Sequence, residues 1–165
     1  MEKMSRAKGA RMTQADLCAL APHIRYEADM LHIAYKATQS PPPQPQASIV
    51  LECFLLHWRN LWYFLLERKK GDVIASDYIA SWKPHRPSPD FRKRVHTLLA
   101  HLSKLRLGQR GFSEVDVRVM HDQIAKLWTE FYRQLPSDDE RAWFKNPLEQ
   151  FPVKYRGPES PLLLK

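Results

Sequence analysis

Cys53, His57, Arg59 and Asn60 stand close together in the stretch LECFLLHWRNLWYFL. A histidine in such a set can move a proton, an arginine can hold a phosphate oxygen, and an asparagine can orient either group. At 100° per residue, Cys53, His57 and Asn60 fall within roughly 60° of one another on a helix, and Arg59 lies roughly 160° from His57. Glu52 is nearly eclipsed with Arg59, which predicts an ion pair along that side. A second stretch, HTLLAHLSKLR, places His101 beside an apolar stripe, where it can meet His57 or Asn60 across a helix interface. The candidate catalytic residues are therefore His57, Arg59, Asn60 and His101, with Arg106 as an accessory cation. The plainer reading makes His57 and Asn60 a hydrogen-bonded core contact, because polar groups buried in a helix must find partners. His121, between Val117 and Ile124, reads as another core histidine. His96 and His101 are about 140° apart on a helix and cannot share one ion, and no HxxxH pair occurs. The sequence thus predicts no metal centre and no cofactor.

The elements that must carry these residues are helical. Residues 47–70 are apolar on nearly every side and would span about 36 Å, which predicts a central helix covered by its neighbours. The run is long enough for a membrane span, but Glu52, His57, Arg59 and Asn60 make a buried helix of a soluble, cytoplasmic domain the better expectation. Gly71 suits its stop. Thr13 and Asp16 form a capping box for a short helix up to Leu20, and Pro22 fits the first turn of a second helix. That second helix carries Ile24, Ala28, Leu31 and Tyr35. The SPPPQPQ run at 40–46 ends it and reads as an extended connector. Residues 72–82 predict a turn and a short helix with Ser76 as its cap, and the proline-rich 83–90 a loop. Ser88, Pro89 and Asp90 open a helix with Phe91, Val95, Leu98, Leu102 and Leu105 at regular spacing. Ser113 and Asp116 cap the last long helix, which Pro136 stops. A further helical turn is expected over 138–144.

The expected fold is all-α: four main helices in an up-down bundle with one or two short extra helices. One domain over 13–145 is flanked by a basic tail at 1–12 and a proline-containing, extended tail at 146–165. The chain has 165 residues, ample for a core without staples, and its two cysteines make neither a disulfide framework nor a zinc site. Five glycines against thirteen prolines speak against a glycine-rich phosphate loop. The net charge of +8 leaves a polyanionic partner open. Lys83, Arg86, Arg92, Lys93, Arg94 and Arg106 are the candidate nucleic-acid contacts, with Trp82, His85 and Phe91 between them able to stack on bases.

Three segments, LECFLLHWRNLWYFL, DVIASDY and HTLLAHLSKLR, together resemble bacterial helical proteins with a HEPN-like bundle, over roughly residues 26–135. That resemblance implies either a metal-independent ribonuclease of the toxin or antiphage type, or a non-catalytic partner that binds RNA or nucleotides. It also implies a homodimer. Active members carry an arginine and a polar residue four to six residues before a histidine on one helix. Arg59 and Asn60 match the opening of that motif, but Phe64, Leu65 and Leu66 stand where the histidine belongs. Arg25 through His32 fits the spacing, yet Tyr26 follows the arginine and another helix carries it. Arg92 to His96 is one residue too tight. The expectation is a non-catalytic module for self-association or for binding RNA, a nucleotide or a protein partner, with a ribonuclease of rearranged site as the alternative.

Overall fold

Thr13 starts the first helix because its hydroxyl accepts from the Asp16 N–H while the Asp16 carboxylate accepts from the Thr13 N–H. A computed structural model describes residues 12–67, 71–100 and 111–144, and in it this helix, α1, runs unbroken over Gln14–Thr38. The expected stop at Leu20 and restart at Pro22 is corrected: Pro22 sits inside α1. A proline there removes the hydrogen bond to the carbonyl four residues back. Both Pro22 and that residue, Cys18, are exposed, so water can replace the missing donor. Buried Ala21 and Ile24 pack the other side and keep the two halves in one rod.

The central helix α2 covers Gln46–Leu66 and packs most extensively against α1. The last three residues of the helix expected over 47–70 lie outside the described residues. Glu67 leaves the helix extended, and Gly71 takes the left-handed conformation, φ 92°, that only glycine adopts without strain. Phe54, Trp58, Leu61 and Leu65 are buried, whereas Ile49 and Leu56 face outward. Among the described residues α2 is the one helix long and apolar enough to cross a membrane, and half of that window is buried inside the bundle.

A single turn, α3 (Ala75–Tyr78), follows. Its cap differs from the expectation at Ser76: the Asp77 carboxylate accepts from the Ile74 N–H at 2.9 Å, so the cap stands two residues earlier. Helix α4 (Asp90–Val95) begins where the Ser88 hydroxyl donates to the Asp90 carboxylate at 2.7 Å. Regular spacing holds to Val95. The backbone then widens into a π-helical turn over His96–Ala100, and the rest of the helix expected to 107 lies outside the described residues. Helix α5 (Glu114–Gln134) has the expected Ser113–Asp116 capping box and ends before Pro136. Helix α6 (Asp138–Trp143) starts on the Ser137 hydroxyl, which accepts from the Glu140 N–H.

The protein is an all-α bundle, with no strand among the described residues. Tyr35 packs near Phe54 and Glu27 meets His57, so α1 and α2 are antiparallel. His32 meets His121, while Arg25, seven residues earlier, shares a cavity with Trp128, so α5 also runs against α1. Buried indoles and a phenol are tied to main-chain carbonyls of other segments: Trp58 to Met120, Trp82 to Leu65, and Tyr78 to Leu17. Each link spares a buried donor the cost of going unpaired while fixing one element against another. Around Phe131, the rings of Phe64, Tyr78, Trp82 and Phe144 stand edge to face at 5.2–6.0 Å.

Candidate functional site

His57 is 6% exposed on the α1 side of α2. Its Nδ1 lies 2.7 Å from Glu27 Oε2 on α1, and Asn60 Nδ2 donates to the same oxygen at 3.0 Å. The edge of Tyr26 meets the imidazole, with ring centroids 5.8 Å apart and planes at 81°. The shared face expected for His57 and Asn60 is therefore real, and Glu27 closes it. Cys53, half-buried on that face, has its thiol pKa raised by burial and by the Glu27 charge, which keeps it protonated and poorly nucleophilic. Arg59 is half-buried and Glu52 exposed. The ion pair expected between them is not among those of the described residues. His101 and Arg106, and with them the expected meeting of His101 with His57, lie outside the described residues.

A carboxylate that holds a histidine by Nδ1 is a familiar way to ready Nε2 for proton transfer. Such a histidine still needs room for a substrate. Two surface cavities among the described residues are lined by other side chains. The Glu27–His57–Asn60 set is a polar clasp that joins α1 to α2.

The basic candidates divide into two kinds. Lys83, Arg86 and Lys93 are exposed. Arg92 instead pairs with Glu67 at 2.9 Å. Arg94 reaches Asp116 at 3.2 Å and the Gly111 carbonyl at 2.9 Å, and its guanidinium lies over the Phe112 ring at 4.4 Å. These two arginines tie α4 to the end of α2 and to the start of α5. Burial alone would raise the Asp116 pKa, but the Ser113 N–H and hydroxyl and the Arg94 guanidinium lower it below the usual carboxylate value.

Sequence reasoning missed a third constellation. Between α1 and α5 lies a cavity of about 220 Å³, lined by Arg25, Asp29, His32, His121 and Thr129 against an apolar floor that includes Trp128. His32 Nδ1 is 3.5 Å from His121 Nε2, and His121 Nδ1 is 3.1 Å from Asp122 Oδ1. Tyr35 stacks on His121 with centroids 3.8 Å apart. Burial raises the Asp29 pKa, with Arg25 partly opposing it, and burial together with Lys36 and His121 lowers that of His32. The spacing of Arg25, Asp29 and His32 at intervals of three and four was the available signal, since it puts all three on one face of α1. Their partner His121 comes from a distant segment, which periodicity does not join to them.

Comparison with protein-family models, with curated proteins and with solved structures matches none of them.

Proposed function

We propose that the chain is a non-catalytic, HEPN-like helical module that binds the phosphates of RNA or of a nucleotide through exposed basic side chains between Lys83 and Lys93. The observation that carries this reading is the Glu27–His57–Asn60 clasp: the residues best suited to proton transfer are spent on each other in holding two helices together. Lys83, Arg86 and Lys93 remain directed at solvent, in a chain whose net charge is +8. Cationic side chains bind phosphate by releasing condensed counterions, so affinity should fall steeply with salt.

The test is binding of a fluorescent single-stranded RNA at two salt concentrations, with a mononucleotide as competitor. The parent should bind, and the triple variant Lys83→Glu, Arg86→Glu, Lys93→Glu should lose at least tenfold in affinity and show a shallower salt slope. Equal binding by parent and variant, or no binding by either, refutes the proposal. Cleavage of the RNA by the parent, abolished in His57→Ala, would replace it with the ribonuclease reading.

A further inference from the structure

The α1–α5 cavity stands apart from the basic segment and from the Glu27 clasp. Its polar wall contains two imidazoles whose nitrogens face each other, and one of the rings is held on two sides. Tyr35 stacks on the His121 ring at 3.8 Å with planes only 11° apart, and the Asp122 carboxylate accepts from Nδ1. That bond fixes the tautomer and leaves the Nε2 lone pair of His121 pointing at His32. A carboxylate behind the distal nitrogen is the usual outer support of a metal-bound histidine.

The separation of the two nitrogens decides what fits between them. A zinc–imidazole bond is about 2.1 Å, so two such bonds at a tetrahedral angle place their nitrogens about 3.4 Å apart. His32 Nδ1 and His121 Nε2 are 3.5 Å apart. As a hydrogen bond this contact is at the long limit; a two-histidine chelate keeps the same separation but tilts the rings, so that both lone pairs turn from one another to a shared point. We propose that His32 and His121 bind one first-row divalent cation of the zinc type through these two nitrogens.

Among the described residues no group of three or more histidine, cysteine or acidic side chains is gathered around one point. The site therefore supplies two ligands and leaves the other positions to water or to a small molecule entering the cavity. Asp29 lines the same cavity and offers a carboxylate oxygen. Arg25 and Lys36 oppose a cation here, while Asp122 and an ionised Asp29 offset them. The helical spacing excluded a metal pair on any single helix. This pair is built instead from two helices, 89 residues apart in the chain.

The experiment strips the full chain with a chelator and titrates it with Zn²⁺ alone by calorimetry and with Co²⁺ alone by visible absorption. One saturable site per chain is expected, with a Co²⁺ ligand-field band and a rise in thermal unfolding temperature. His32→Gln should abolish the band and weaken binding at least tenfold. Asp122→Asn should weaken it by about 10- to 100-fold. His121→Gln should match His32→Gln, and if loss of the Tyr35 stack unfolds it, His32→Gln, verified by circular dichroism, carries the test. The absence of a saturable site, or His32→Gln binding as tightly as the parent, overturns the proposal, because the ion would then be held by other histidines or by none.

Discussion

A single carboxylate oxygen on Glu27 receives both His57 and Asn60, so three polar side chains are satisfied at one point of the α1–α2 seam. Removing it strands two donors, one on a residue only 6% exposed. Glu27→Ala should therefore cost about 1–3 kcal/mol of stability, read from the urea midpoint, and Glu27→Gln, which keeps an acceptor oxygen, should cost less. The opposite sign is expected at Pro22, which lies exposed inside α1. Pro22→Ala restores a helical hydrogen bond and should raise the unfolding midpoint by an amount corresponding to about 1–3 kcal/mol. An unchanged midpoint would mean that α1 is already distorted there in a way alanine does not repair. At Asp116 the effect depends on pH. Its folded pKa lies below the unfolded value of 3.8, so its stabilising contribution is fully present above that value and fades as pH falls through the lower, folded one. Asp116→Asn should accordingly be less stable than the parent at pH 7, with the gap narrowing in denaturation series carried towards pH 3.

Helices were legible in the sequence wherever apolar period and cap chemistry agreed. The Thr13–Asp16 and Ser113–Asp116 boxes begin α1 and α5 where their spacing predicts, and Pro136 follows the end of α5. Proline was overread at position 22, because its local cost does not reveal that Ala21 and Ile24 are buried across the break. Ser76 was misread for a similar reason: Asp77 reaches back to Ile74 and outcompetes a hydroxyl already inside the turn. The π-helical turn after Val95 has no sequence signal comparable to a glycine or a proline. Of the candidate site, the shared face of His57 and Asn60 was readable from helical angles. Glu27 and the His32–His121 contact were not, since both depend on which helices become neighbours. The same limit applies to Arg92 and Arg94, which read as phosphate ligands by charge but pair with Glu67 and Asp116 from other elements.

On the scale of the molecule, the five tryptophans are largely accounted for within one chain. Trp58, Trp62 and Trp82 are buried, while Trp128 and Trp143 pack half-buried against the core. Tryptophan content is therefore no argument for a second copy. An apolar surface does remain, since Tyr26, Ile49 and Leu56 are 40–63% exposed along α1 and α2. The shortest helices matter more than their size suggests. Phe144, at the exit of α6, meets Tyr78, Trp128 and Phe131, and Glu140 takes a hydrogen bond from Gln14 near the opposite end of the chain. Helix α6 is thus a cork. A protease nick at the exposed Pro136–Ser137 junction would let it swing free and wet the ring cluster, so the clipped molecule should light up a solvatochromic dye and clump on standing while the intact one stays clear.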